Sequence, residues 1–120
     1  MTVDTNLIIF NSNPYDGSDV TWNGLRLAEK LLDLQLEVKI FLMNDSVDLA
    51  REACSPPEGY YDLVQMLKNL IDKEVEVGVC GTCKARCGLY KGEPYFMDSM
   101  EAKMTDLAEW VKEANKVISF

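Results

Sequence analysis

Val75-Glu76-Val77-Gly78-Val79-Cys80-Gly81-Thr82-Cys83 is the stretch on which the fold turns. Valines 75, 77 and 79 read as a strand, and the chain then bends at Gly81 into a short helix that leaves Cys80 at the strand's carboxyl end. Backbone N–H groups at such a helix start carry partial positive charge, which favours a thiolate, the reactive form of cysteine. Cys83 and Cys87 follow within the same eight residues, so the motif points to thiol chemistry.

Working outward, the same alternation of strand and helix recurs. Leu7-Ile8-Ile9-Phe10 is a short apolar run that ends in the turn formers Asn11 to Ser18. Val20, Gly24, Leu27, Ala28 and Leu31 follow at helical spacing, and Val38 to Met43 gives a second strand. Asp45 or Ser46 is then placed to cap a short helix through Arg51. Cys54-Ser55-Pro56-Pro57-Glu58-Gly59 reads as a loop, because a proline lacks the N–H donor and restricts the residue before it. Leu63, Met66, Leu67, Leu70 and Ile71 mark a second helix before Val75. Beyond a turn-rich Tyr90 to Pro94, the spacing of Met100, Met104, Leu107, Ala108, Val111 and Ala114 predicts a long helix, and Val117 to Phe120 a closing strand.

Short apolar strands alternating with helices imply an α/β domain, three layers α/β/α, with a mostly parallel sheet of about five strands covered on both faces. No repeat, linker or low-complexity tract divides residues 1–120, which read as a single domain. In such a sheet the reactive groups gather beyond the carboxyl ends of the strands, which brings the loops after Phe10, Met43 and Val79 to one edge and allows Cys54 to approach the cysteine cluster.

Composition narrows the chemistry. A net charge of −8, from 12 Lys and Arg against 20 Asp and Glu, argues against a nucleic-acid partner. No run approaches the ~18 apolar residues of a membrane span, and the expected location is the cytoplasm. In that reducing compartment cysteines are more often reactive, metal-bound or buried than permanently cross-linked. The chain has no histidine, which removes every Cys-His and Ser-His pair and every imidazole ligand.

Cys80 is the candidate nucleophile and Cys83 its partner, with Lys84 and Arg86 as supporting cations and Cys87 and Cys54 as neighbouring thiols. A persulfide on Cys80 would be resolved by Cys83, whose attack on the inner sulfur forms a disulfide and releases sulfide. Two readings of other classes stand beside this one. The cysteines are either a redox sensor that sets assembly, or, with Cys54 included, thiolate ligands of a metal; the spacing after Cys83 fits a metal site imperfectly. No cofactor is expected on the leading reading.

Pro57-Glu58-Gly59-Tyr60-Tyr61 leading into a helix, followed by Val75 to Cys83, resembles the DsrE/DsrF-like family, and the similarity runs from the first strand to Val117-Ile118-Ser119-Phe120. The resemblance implies the family's compact parallel α/β fold. It also implies a sulfurtransferase-like role in a sulfur relay, with a persulfide carried at the position of Cys80 and sulfur donor and acceptor proteins as partners. Homo-oligomers, trimers or hexamers, are further implied. The adjacent Arg-Gly pair common in the family is here interrupted, because Cys87 separates Arg86 from Gly88.

Overall fold

The computed structural model describes residues 4–51, 54–91 and 101–120, with residues 87–91 described as backbone only. Strands β1 (Thr5–Phe10), β2 (Glu37–Leu42), β3 (Glu76–Cys80), β4 (Glu101–Ala102) and β5 (Lys116–Ser119) form one sheet in the order β4-β3-β2-β1-β5. Every pairing is parallel, with Ile8 opposite Ile40 and Ile118, and Ile40 opposite Val77. The α/β architecture expected from the alternating pattern is therefore present.

Parallel strands need crossovers, and helices α1 (Val20–Asp33), α2 (Leu63–Asp72) and α4 (Met104–Glu113) supply most of them. Because side chains alternate across a strand, each strand feeds two cores. Ile8, Phe10, Ile40, Leu42, Val77 and Val79 meet Leu25 and Ala28 of α1 and Leu63, Val64, Leu67 and Leu70 of α2. On the opposite face Leu7 and Phe41 pack with Leu107 of α4, and Trp110 and Ala114 close over them. Each fully buried Leu, Ile or Phe contributes about 1.5–3 kcal/mol, so the α1/α2 face carries most of the burial.

Local chemistry fixes the helix ends. The Asp62 carboxylate accepts the Gln65 N–H at 3.0 Å and caps α2. Asp106, in the first turn of α4, reaches back to the Lys103 N–H at 2.7 Å. Before α1, Asp16 accepts both the N–H and the hydroxyl of Ser18, at 2.9 and 2.6 Å. Gly24 of α1 lies against the Phe10 ring so closely that a Cβ there would stand 2.3 Å from Cε1.

Three local expectations are revised. The segment after β2 is a 3-10 helix, Asn44–Ala50, that starts from Met43 without a side-chain cap; Ser46 is buried and donates to the carbonyls of Phe10 and Met43, both at 2.7 Å. Helix α3, Gly81–Lys91, runs through Tyr90 and Lys91, where a turn was expected. Glu101 and Ala102, at the predicted start of the long helix, instead pair with Val79 and Cys80 as β4. The rest of the expected turn, Gly92 to Pro94, lies outside the described residues, as does Met100.

Candidate functional site

Cys80 closes β3 and Gly81 opens α3 with no residue between them. The helix therefore starts directly on the thiol, and its N–H groups, which have no carbonyl partner within the helix, face the strand end. The Cys83 N–H donates to the Cys80 sulfur at 3.4 Å. Cys80 is half-buried and packs against both cores, so its sulfur sits where the two faces of the sheet meet.

Cys83 stands one helical turn on and is also half-buried. Its thiol is pushed up from the ordinary range by burial first and then by its hydrogen bond to the Cys80 side chain; the Asn44 N–H and the Arg86 guanidinium pull the other way without reversing the shift. The Cys80 sulfur accepts a backbone N–H from the first turn of α3, a donor that suits a sulfur acceptor. Cys80 and Cys83 are not joined by a disulfide.

The strand ends beside β3 complete the surroundings. Asn44, in a left-handed conformation with φ of 54°, directs its backbone N–H to the Cys83 sulfur at 3.2 Å. Its side-chain amide donates to Asn11 at 3.0 Å, and Asn11 in turn donates to the Ser119 hydroxyl at 2.9 Å and the Phe120 carbonyl at 3.1 Å. The carboxyl ends of β1, β2, β3 and β5 are so joined by one line of polar contacts. Sequence reasoning missed Asn44, whose contribution is a backbone donor; the available signal was an asparagine directly after a strand, since asparagine is enriched at positive φ.

The supporting cations have carboxylate partners. Lys84 Nζ lies 3.7 Å from Glu101 of β4, and Arg86 donates to Asp45 at 2.8 Å. Arg86 still favours the Cys83 anion through its charge. Cys54 packs against the α1/α2 core in the loop that follows the 3-10 helix, where it influences Tyr15. The Cys87 backbone is in α3, and its side chain lies outside the described residues. Among the described residues, no group of three or more Cys, Asp and Glu converges as a metal site.

An open cleft of about 820 Å³ lies over this arrangement, lined by Met43, Asn44, Cys80, Cys83, Ala102 and Met104 among others. Cys80 and Cys83 therefore both line a space large enough for a segment of another chain. No helix among the described residues is long and apolar enough to cross a membrane.

Known proteins share this fold. YchN of Escherichia coli is 35% identical over 117 residues, spanning 95% of this chain and 97% of YchN. An uncharacterised protein of Methanopyrus kandleri is likewise 35% identical, over 98% of this chain and 95% of its own length. The crystal structure of E. coli YchN superimposes with a TM-score of 0.84 over 98% of this chain and all of that one. A conserved protein of unknown function from Bacteroides thetaiotaomicron, 15% identical, shares the fold with a TM-score of 0.65 over 98% of this chain and 95% of that one. Residues 5–120 match the DsrE/DsrF-like family, and the chain belongs to it.

Proposed function

We propose that the protein is a cytosolic sulfur carrier in which Cys80 takes a sulfane sulfur from a donor persulfide and passes it to an acceptor thiol. One observation carries this reading: the Cys80 sulfur accepts the N–H at the start of α3 while bordering an open cleft. A thiolate attacks the outer sulfur of a donor persulfide, the donor leaves as a thiolate, and the new Cys80 persulfide rests against the same donors. Thiol exchange needs no general base, which suits a chain without histidine. Family membership supports a role in sulfur relay in general terms.

The test is intact-mass spectrometry after incubation with a low-molecular-weight persulfide donor. Cys83→Ser, and wild type quenched directly after loading, gain one sulfur atom that a reductant removes, and Cys80→Ser does not gain it; an undiminished gain in that variant would refute the assignment. Self-association as a trimer or hexamer belongs to the same reading. It is supported by the apolar side chains exposed on α4 and β5, Met104, Val111 and Val117, and is checked by sedimentation.

A further inference from the structure

Two sulfurs in this site each receive one backbone N–H from a different element: Cys80 from Cys83 in α3, and Cys83 from Asn44 after β2. The second donor has no use in carrying sulfur on Cys80 alone, because it serves the other thiol. We infer that Asn44 is a positioning residue for Cys83, and that it equips the protein to discharge its own Cys80 persulfide as sulfide. The inference rests on the carrier reading above.

The step balances without an outside oxidant. Cys83 attacks the inner sulfur of the Cys80 persulfide anion, a Cys80–Cys83 bond forms, and the bond to the outer sulfur breaks. That outer sulfur takes the electron pair, receives the Cys83 proton and leaves as HS⁻ into the cleft. The two cysteines end as a disulfide, which an external dithiol reopens for the next turnover. As Cys83 gives up its proton, negative charge develops on its sulfur, and the Asn44 N–H at 3.2 Å is the donor already aimed there.

The placement of that donor depends on the backbone of Asn44. A φ of 54° is tolerated by Asn and Gly and resisted by β-branched residues. The Asn44 amide is held in addition by Asn11, which is itself anchored to Ser119 and Phe120. Asn44→Val therefore moves the N–H, whereas Asn44→Gly permits the same φ and keeps the backbone donor, losing only the side-chain bond to Asn11.

Protein loaded with sulfur, freed of donor and held without external thiol is followed for sulfide release per loaded Cys80 and for disulfide by intact mass. Wild type is expected to release one sulfide per persulfide and to form the Cys80–Cys83 disulfide, and Cys83→Ser to retain its sulfur. Asn44→Val is expected to slow release about tenfold, the effect of one hydrogen bond to a charged group, and Asn44→Gly to restore it. In a Cys80→Ser background, Asn44→Val shifts the alkylation profile of Cys83 to higher pH, a change that a purely structural role would not produce. Loaded wild type that keeps its sulfur until thiol is added overturns the inference and leaves the carrier reading intact. Wild-type release from Asn44→Val removes the role of Asn44. Failure of Cys80 to load at all strikes the carrier reading itself, and this inference with it.

Discussion

The backbone N–H of Cys83 points at the sulfur of Cys80 across 3.4 Å, while burial, and then the Cys80 side chain, push the Cys83 thiol up from its ordinary range. Cys80 is the acceptor of that contact, and Cys83 keeps its proton to higher pH than an ordinary cysteine.

Replacing Cys80 by Ser removes the sulfur that raises the Cys83 thiol, so the Cys83 alkylation midpoint is expected to fall toward the ordinary thiol range. Burial remains and keeps part of the elevation. Peptide-resolved alkylation across pH measures both proteins. An unchanged midpoint would show that the Cys80 contact does not govern the proton.

Gly24→Ala sets two effects in opposition. Alanine favours the helix by about 1 kcal/mol, but its Cβ would lie 2.3 Å from the fully buried Phe10 ring, and overpacking costs about 1–3 kcal/mol. With Phe120 also 3.1 Å from the new Cβ, the ring has little room to retreat, and net destabilisation is expected. A lower midpoint in urea, at unchanged slope, is the expected result.

Asp62→Ala removes the cap of α2 and leaves the Gln65 N–H to water, at a cost of about 1 kcal/mol. Asp62→Asn keeps an acceptor and is expected to recover most of the loss. Thermal unfolding of the two variants compares them directly.

Tyr60 supplies a pH dependence of the fold. Its hydroxyl donates to Asp19 at 2.8 Å, and that bond, with a smaller effect of burial, pushes its pKa up to about 12. The folded state thus holds this proton more tightly than the unfolded chain, where tyrosine ionises near about 10. The associated stability is complete below about pH 10 and is lost as pH rises through about 12. Absorbance titration is expected to show that a tyrosine ionising late in the wild type ionises earlier in Asp19→Asn, while Tyr15, which burial also raises, is unaffected.

The α/β class and four of the strands were legible because each is an apolar run between turn formers, as in Leu7 to Phe10 and Val75 to Val79. The two-residue β4 was not. Glu101 and Ala102 are too few to show a strand period, and they sit among residues whose spacing continues the helical pattern of α4. At the site, the cysteines declared themselves by spacing and by the strand before them. The partners of Lys84 and Arg86 did not, because Glu101 and Asp45 reach them from other elements. The role of Asn44 was hidden for a different reason: its donor is main chain, and only its φ and the arrival of α3 reveal where it points.

The pairing of β5 with β1 has a consequence for how the molecule is made. Asn115, just ahead of β5, already touches Thr5 across 110 residues of chain, and β1 lies inside the sheet between β2 and β5. During synthesis β1 must wait with one edge bare until β5 emerges, and closing so distant a contact is entropically slow. The nascent polypeptide consequently passes through a stage in which β1 through β4 can assemble while an aliphatic strand offers its unpaired amides to any neighbour, the interval in which a chaperone would matter most.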